Sequence, residues 1–456
     1  VKPALSGLLL RRRSFLKGAA ALPLLACTPG KGVRVVVVGA GAAGLWAAQL
    51  LIDKGFSVVV LEASDRYGGR VRPDDTLADY PVELGAEEIH GQNTVLYSMC
   101  EDADAAFVDA DDQDWFWMQD ADGNRALHDE SVLESDTVLA AAETFVDEAA
   151  DWTGSDVTID ERIAAEGIAD RVRFLADAQI GNEYGSDNTH IGALSLAEED
   201  DKWTAGDQNF GLASVSILSL IELACPDSRT IVRTGAQVTS ITTQGAPEGG
   251  VRVSLSDGTT VDADYGILTV SLGVLKAGLI TFDPPLSADR TAAIDGIGMG
   301  NGMKIILTFS SRFWSDDLGS LYGVPGVPEL WATGLGRTEN PLHLTAFVMG
   351  APAAALSARG AAAVDDVLAA LDTVYGGAAT AAFVDSRVLD WTKEPTVLGS
   401  YSYPSPGSSG LRGDLAAVEG RLHFAGEATH TGGHFATVHG ALETGERAVE
   451  EIIDRL

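Results

Sequence analysis

A chain of 456 residues is long enough for two or three domains around a substantial core. With 46% hydrophobic and 21% charged residues it suits a globular enzyme and excludes a fibrous or broadly disordered chain. The 31 Lys+Arg against 66 Asp+Glu give a formal charge of −35, which repels phosphate backbones and excludes nucleic acid as a partner.

Such a charge reads as a solvated acidic surface, as attraction of cationic substrates, or as the mark of a high-salt habitat. At the N-terminal end Arg11, Arg12 and Arg13 precede Ser14-Phe15-Leu16-Lys17 and an apolar run over residues 19–26. That run is too short to span a bilayer, and the layout resembles a twin-arginine export signal. Leu24-Leu25-Ala26-Cys27 resembles a lipobox with Cys27 as the lipidated residue; the alternative is an ordinary cleaved signal with an incidental cysteine. Residues 1–31 are expected to be signal and tether, and the mature protein periplasmic or at the cell surface. Membrane contact is expected only through lipid at Cys27. The other two cysteines, Cys100 and Cys225, form neither a disulfide framework nor a zinc pattern, and their pairing is left open.

Residues 32–38 are an apolar, β-branched run of strand length, as in a strand buried on both faces. Gly39-Ala40-Gly41-Ala42-Ala43-Gly44 follows, then an Ala/Leu-rich helical stretch to Gly55, and a second strand over residues 57–61 that ends at Glu62. Gly39 permits the tight turn, Gly41 lets backbone approach a pyrophosphate, and Gly44 allows close helix–strand packing. The helix N-terminus, with Ala43 in its first turn, offers N–H groups to phosphates, and Glu62 accepts from ribose hydroxyls. Strand, glycine turn, helix and acidic residue at this spacing define a dinucleotide site.

The next residues, Glu62-Ala63-Ser64-Asp65-Arg66-Tyr67-Gly68-Gly69-Arg70, resemble the segment after the second strand in the flavin amine oxidase superfamily. That superfamily includes monoamine and polyamine oxidases, L-amino-acid oxidases and lysine-specific histone demethylases. The resemblance implies FAD as cofactor and places Arg70 against the phosphates and isoalloxazine. The family often has a second arginine where this chain has Ser64. Residues 82–91 resemble the stretch beneath the flavin ring, which implies that Gly85, Ala86 and Glu87 contact cofactor and that His90 lines the substrate cavity. Glu88 replaces a common aromatic residue; there it either binds a second ammonium of a diamine or is solvated.

From about residue 100 to 203 the pattern turns to helical segments broken by acidic loops, with an amphipathic helix expected over 135–152. Trp115-Phe116-Trp117-Met118 and Asp122-Gly123 read as strand and turn, the aromatics either packing or walling the substrate. Short β segments follow over 229–233, 236–241, 251–256 and 260–263, and the family places the valine matching Val238 against adenine.

Residues 302–309 form an apolar strand interrupted by Lys304. A buried ammonium needs a reason. The resemblance supplies one, a lysine that holds water near flavin N5 and assists proton movement when reduced flavin meets oxygen. Residues 391–403 resemble the demethylase branch: Tyr401 matches one wall of the aromatic cage, and Trp391 packs on the flavin. Near the C-terminus Leu422-His423-Phe424-Ala425-Gly426-Glu427 has strand character, and a helix opens at Thr437-Val438. The resemblance gives Glu427 the ribityl or pyrophosphate region and points the helix N-terminus at the pyrimidine edge. Thr437 stands where many relatives have a second cage tyrosine, which implies a wider cage. No cysteine follows Cys225, so FAD is expected to be non-covalent.

The implied fold is α/β: a two-domain, Rossmann-like FAD-binding flavoprotein with a mixed α+β substrate domain. Residues 32–99, 204–285 and 396–456 are expected to form the FAD domain, and 100–203 and 286–395 the substrate domain. The implied activity is FAD-dependent oxidation of a primary or secondary, polyamine-like amine by hydride transfer to N5, with O2 reduced to H2O2 and no metal. An L-amino-acid oxidase, a flavin dehydrogenase of a non-amine, and a non-catalytic amine-binding lipoprotein remain as alternatives. Oligomeric state is not readable from the sequence.

Overall fold

The computed structural model describes residue 30 and residues 32–108, 113–243, 245–246 and 249–456. The expected export signal and Cys27 lie outside the described residues.

The valine run after residue 32 is the strand Arg34–Val38, flanked by Ser57–Leu61 and Tyr265–Leu268. Val232–Arg233 and Leu422–Phe424 complete a five-stranded sheet, parallel throughout. Side chains alternate across a strand, and here both faces are covered. Val35 and Val37 pack with residues of the helices Ala42–Asp53 and Val438–Ile453. Val36 and Val38 pack with Val251 and Val253 of a four-stranded sheet built from 238–242, 251–255, 260–263 and 281–283. That alternation explains why the run carries no polar residue after Arg34.

The strand expected over 229–233 is shorter. Gln49 accepts hydrogen bonds from the backbone N–H groups of Asp227 and Ser228 at 3.0 and 3.1 Å. These bonds hold Ser228–Ile231 as a 3-10 turn, so only Val232–Arg233 pairs. The helix Val95–Asp102 runs unbroken across residues 99–100 and buries Met99 and Cys100 in the core beside the parallel sheet. Cys225 is buried in the same core; both thiols are free, and burial pushes each up to about 12.

A seven-stranded sheet makes the second layer, in the order 383–390, 302–309, 343–349, 327–332, 318–324, 113–119 and 125–129. All neighbours are antiparallel except 318–324 with 113–119. On Gly302–Phe309 the odd-numbered Met303, Ile305, Leu307 and Phe309 pack among residues of the helices Gly350–Arg359 and Ala363–Tyr375. Lys304 and Ile306 take the opposite face, where Ile306 meets Tyr80 and Val82. The period of two alone therefore aims Lys304 away from the helical layer.

The amphipathic helix expected over 135–152 spans Thr137–Asp147, capped by Asp136, whose carboxylate accepts from Val138 and Leu139. Phe116 and Met118 pack against Leu139, Ala142 and Leu175, so that aromatic strand is packing. The helix Ala288–Gly296 joins Leu272, Leu415 and Ala428 in a separate small cluster.

Candidate active site

One cavity of about 1010 Å³ runs between the parallel sheet and the seven-stranded sheet. It is lined by Gly39, Gly41, Ala43, Glu62, Arg70, Gly85, Ala86, Glu87, His90, Val238, Lys304, Trp391, Tyr401, Glu427, Thr437 and Val438. Gly44 alone among the expected residues is not in the lining. It lies beneath, where a Cβ would meet Gly39 O at 2.0 Å, which is the close packing of helix on turn.

At the glycine turn, Glu62 Oε2 accepts from Ala40 N at 2.8 Å, while Oε1 accepts from Ser64 N and Oγ at 2.9 and 2.8 Å. Ser64 thus braces the acidic residue. An arginine is supplied two residues on: Arg66 lines the cavity and donates to Gly69 O at 2.6 Å. The helix Ala42–Asp53 has no side-chain cap, and its first residues Ala42 and Ala43 face the cavity. Uncapped N–H groups at a helix start are an anion site.

Further along, Arg70 donates to Glu427 Oε1 at 2.8 Å and to Ser400 O at 2.9 Å. Glu427 also accepts from Ser402 Oγ at 2.6 Å and Ala436 N at 2.9 Å. Burial alone would raise its pKa; Arg70, Ser402 and Arg412 outweigh that and hold it below the ordinary value. A Cβ on Gly85 would meet Arg70 O at 1.8 Å and Trp391 Cζ2 at 3.1 Å, so only glycine fits between them. Trp391 is buried and donates to Leu84 O at 3.2 Å. Lys304, 2% exposed, donates to Glu83 O at 2.8 Å, Gly85 O at 3.2 Å and Glu87 Oε2 at 2.6 Å. Glu87, expected to touch cofactor, spends its other oxygen on Arg337 Nη1 at 3.2 Å.

Around Tyr401 the cavity is acidic. Its hydroxyl donates to Glu183 O at 2.7 Å, and Glu183, Glu329 and Glu88 line the cavity with it, adding to burial in raising the phenol's pKa. Burial, then Glu183 and Glu88, push the Glu329 carboxyl up to about 8; Glu183 is raised by burial and Glu88. Trp331, Phe347, Tyr184 and Phe435 add aromatic wall. His90 is half-buried and bonds Asn209 Oδ1 at 2.9 Å, with Glu88 at 3.9 Å. Thr437 caps the helix Val438–Ile453: its Oγ1 accepts from Gly440 N at 3.0 Å and donates to His434 O at 2.8 Å. The hydroxyl is engaged at the helix end, while the residue itself lines the cavity.

The loop before that helix also carries His430 and His434, whose Nε2 and Nδ1 both lie 2.8 Å from Glu443 Oε2. The three form a compact group of potential metal ligands. However, His430 Nδ1 accepts from Gly432 and His434 N–H groups, and His434 Nε2 accepts from Thr204 N–H. Both imidazoles are therefore held with their protons toward Glu443, whereas a metal-binding histidine donates from its far nitrogen.

The residues present fit a dinucleotide flavin. A turn with open N–H groups stands at one carboxylate-braced end, the half-buried Arg70 paired with buried Glu427 lies along the run, and a second helix start at Val438 faces the same cavity. Arg66, Glu183, Glu329 and Arg337 were not read from the sequence. Glu329 carried the same signal as Lys304, a charge inside an apolar strand.

A family model described as flavin containing amine oxidoreductase matches residues 42–191 and 207–453. Polyamine oxidase 4 of Oryza sativa subsp. japonica is 28% identical over 470 residues, covering 97% of this chain and 93% of that protein. Lysine-specific histone demethylase 1 homolog 2 of Arabidopsis thaliana is 31% identical over 449 residues, covering 92% of this chain but only 58% of that protein. The solved structure of wild-type putrescine oxidase bound to putrescine superposes with a TM-score of 0.74 at 21% identity, covering 93% of this chain and 99% of that one.

Proposed function

The chain belongs to the flavin-containing amine oxidoreductase family and is an FAD-dependent amine oxidase, and from that premise we propose that its substrate is a polyamine-like amine with a second ammonium. The observation that carries this reading is the set of carboxylates, Glu88, Glu183 and Glu329, gathered around Tyr401. Among the described lining residues the arginines are Arg66, Arg70 and Arg72, and each is engaged elsewhere: Arg66 with Tyr67 O and Gly69 O, Arg70 with Ser400 O and Glu427, Arg72 with Glu394. Once ionised, the carboxylates around Tyr401 repel an amino acid's carboxylate and attract a diamine's second ammonium.

Held by Glu62, Arg66, Arg70 and Glu427, a bound FAD would supply a hydride acceptor for the C–H beside the substrate nitrogen, with O2 as the final oxidant giving H2O2. The chain's own residues do the rest. Tyr401 presents a ring face to the amine, worth about 0.5–2 kcal/mol, with Trp331 and Phe347 excluding water. The Val438 helix start offers N–H groups to developing negative charge. Arg70 and Glu427 fix each other and the backbone at Ser400, Ser402 and Ala436. Cys100 and Cys225 do not line the cavity, in keeping with FAD held without a covalent thiol link.

Anaerobic flavin bleaching by diamines, monoamines, amino acids and non-amines tests the reading. Diamines are expected to bleach fastest; bleaching only by amino acids, or by no amine, overturns it. We also propose an exported, lipid-anchored protein, on the strength of residues 11–27; Cys27→Ser is expected to release it from membranes.

A further inference from the structure

The Lys304 ammonium has three N–H groups and three acceptors, Glu83 O, Gly85 O and Glu87 Oε2. No donor is left over, and giving up a proton would forfeit one of these buried bonds. Glu87 in turn bridges two cations, Lys304 at 2.6 Å and Arg337 at 3.2 Å. Arg337 is buried, outside the cavity lining, and tied down by Leu212 O at 2.9 Å and Thr333 O at 2.7 Å. The Lys304 and Glu87 side chains reach the cavity; Arg337 lies one step behind them.

We propose that Glu87 and Arg337 are positioning residues that hold the Lys304 ammonium in place and, with it, set the electron affinity of the bound flavin. This rests on the FAD reading above. Three groups of alternating sign leave one net positive charge beside the cavity. A reduced flavin is more negative than an oxidised one, so each nearby positive charge raises its midpoint potential and each negative charge lowers it. Lys304 then acts as a fixed charge, and the proton traffic of the sequence-based reading does not pass through it.

The test is the midpoint potential of the FAD-loaded protein, measured by equilibrium dye titration at about pH 6, below the value of about 7 to which burial pushes the neighbouring Glu83 carboxyl. Glu87→Gln is expected to move the potential up and Arg337→Met down. The double variant is expected to return close to wild type, and Glu87→Asp to stay there. Glu87→Gln leaves two buried cations and is the variant most exposed to misfolding. Arg337→Met leaves Lys304 and Glu87 mutually compensated, so the downward shift remains measurable. Single variants that shift in the same direction, or not at all with FAD bound, overturn the pairing alone. A wild-type protein that holds no FAD overturns both the pairing and the function above.

Discussion

The ring of Tyr401 lies against Gly185 so closely that a Cβ placed there would meet ring atom Cε2 at 2.4 Å. Gly185 also has a φ of +80°, which a side chain resists. Gly185→Ala is therefore expected to displace the ring and to destabilise the protein by about 1 kcal/mol or more. Tyr401→Phe keeps the ring and loses only the hydroxyl's bonds to Glu183 O and Asn182 O, so its KM should stay close to wild type. Tyr401→Ala should raise KM about 3- to 30-fold, matching the loss of a ring–amine contact. Steady-state kinetics of the three variants decide it; a Gly185→Ala enzyme with unchanged KM would remove Tyr401 from the amine site.

Glu329 carries a prediction about pH. Burial and the neighbouring carboxylates push it up to about 8, so the empty site is protonated there at neutrality and ionises as pH rises through about 8. Only the ionised form attracts a distal ammonium. KM for a diamine is expected to fall across that pH range, while a monoamine of equal length shows no such step. Glu329→Gln should abolish the step and cost about 10-fold in diamine KM, the value of one charge-assisted hydrogen bond. Identical pH profiles for diamine and monoamine would count against it.

Lys304→Met removes the one cation of this trio that reaches the cavity but leaves Glu87 paired with Arg337. No buried charge is orphaned, so the stability loss should be about 1–2 kcal/mol, below the 3–5 kcal/mol typical of breaking a buried pair. Stopped-flow mixing with O2 should show reoxidation slowed on the order of 10²-fold. Amine-driven reduction, which the same positive charge favours, should slow as well but by a smaller factor. Equal slowing of both half-reactions would mean that Lys304 acts only on packing.

His439 and Glu443 make the fold acid-sensitive in two stages. Burial lowers His439 from its ordinary 6.5 to about 3, so the unfolded chain takes up this proton first. Stability should fall as pH drops below about 6.5, by at most about 1.4 kcal/mol per pH unit for one group. Burial would raise Glu443, yet bonds from His430 and His434 hold it down at about 2. Its contribution is full above its ordinary 4.5 and is lost as pH falls toward about 2. Urea titrations at several pH values should show a flatter limb above pH 4.5 for His439→Gln; superimposable limbs would exclude His439 as the first proton acceptor.

Much of this was legible because some residues announce their neighbourhood locally. The glycine turn, the valine run with both faces buried, and Lys304 within apolar neighbours each follow from a few consecutive residues. The dinucleotide-binding α/β unit followed from the first two, and the amine oxidase activity from the resemblance of residues 62–70, 302–309 and 391–403 to the flavin amine oxidase superfamily. What stayed hidden depends on partners far apart in the chain. Gln49 turns the segment at Ser228 by bonding across 179 positions, and Glu87 finds Arg337 across 250. Thr437 looks like a substitute for a cage tyrosine in sequence, but its hydroxyl closes a helix end. Glu183 follows a π-helical stretch, Asp177–Asn182, whose period no apolar pattern announces.

The five-stranded sheet draws its strands from three distant parts of the chain, and Leu422–Phe424, which introduces Glu427 and the Val438 helix, pairs last. A ribosome finishes the glycine turn long before it makes the residues that face that turn across the cavity. Until then Tyr265–Leu268 is an open edge and the apolar side of Ala42–Asp53 lacks its covering helix. The nascent chain thus cannot grip a nucleotide between two walls. Full enclosure of the cofactor is therefore expected only once the chain is complete, and a chain ending shortly before residue 422 would leave that strand edge and that helix face exposed.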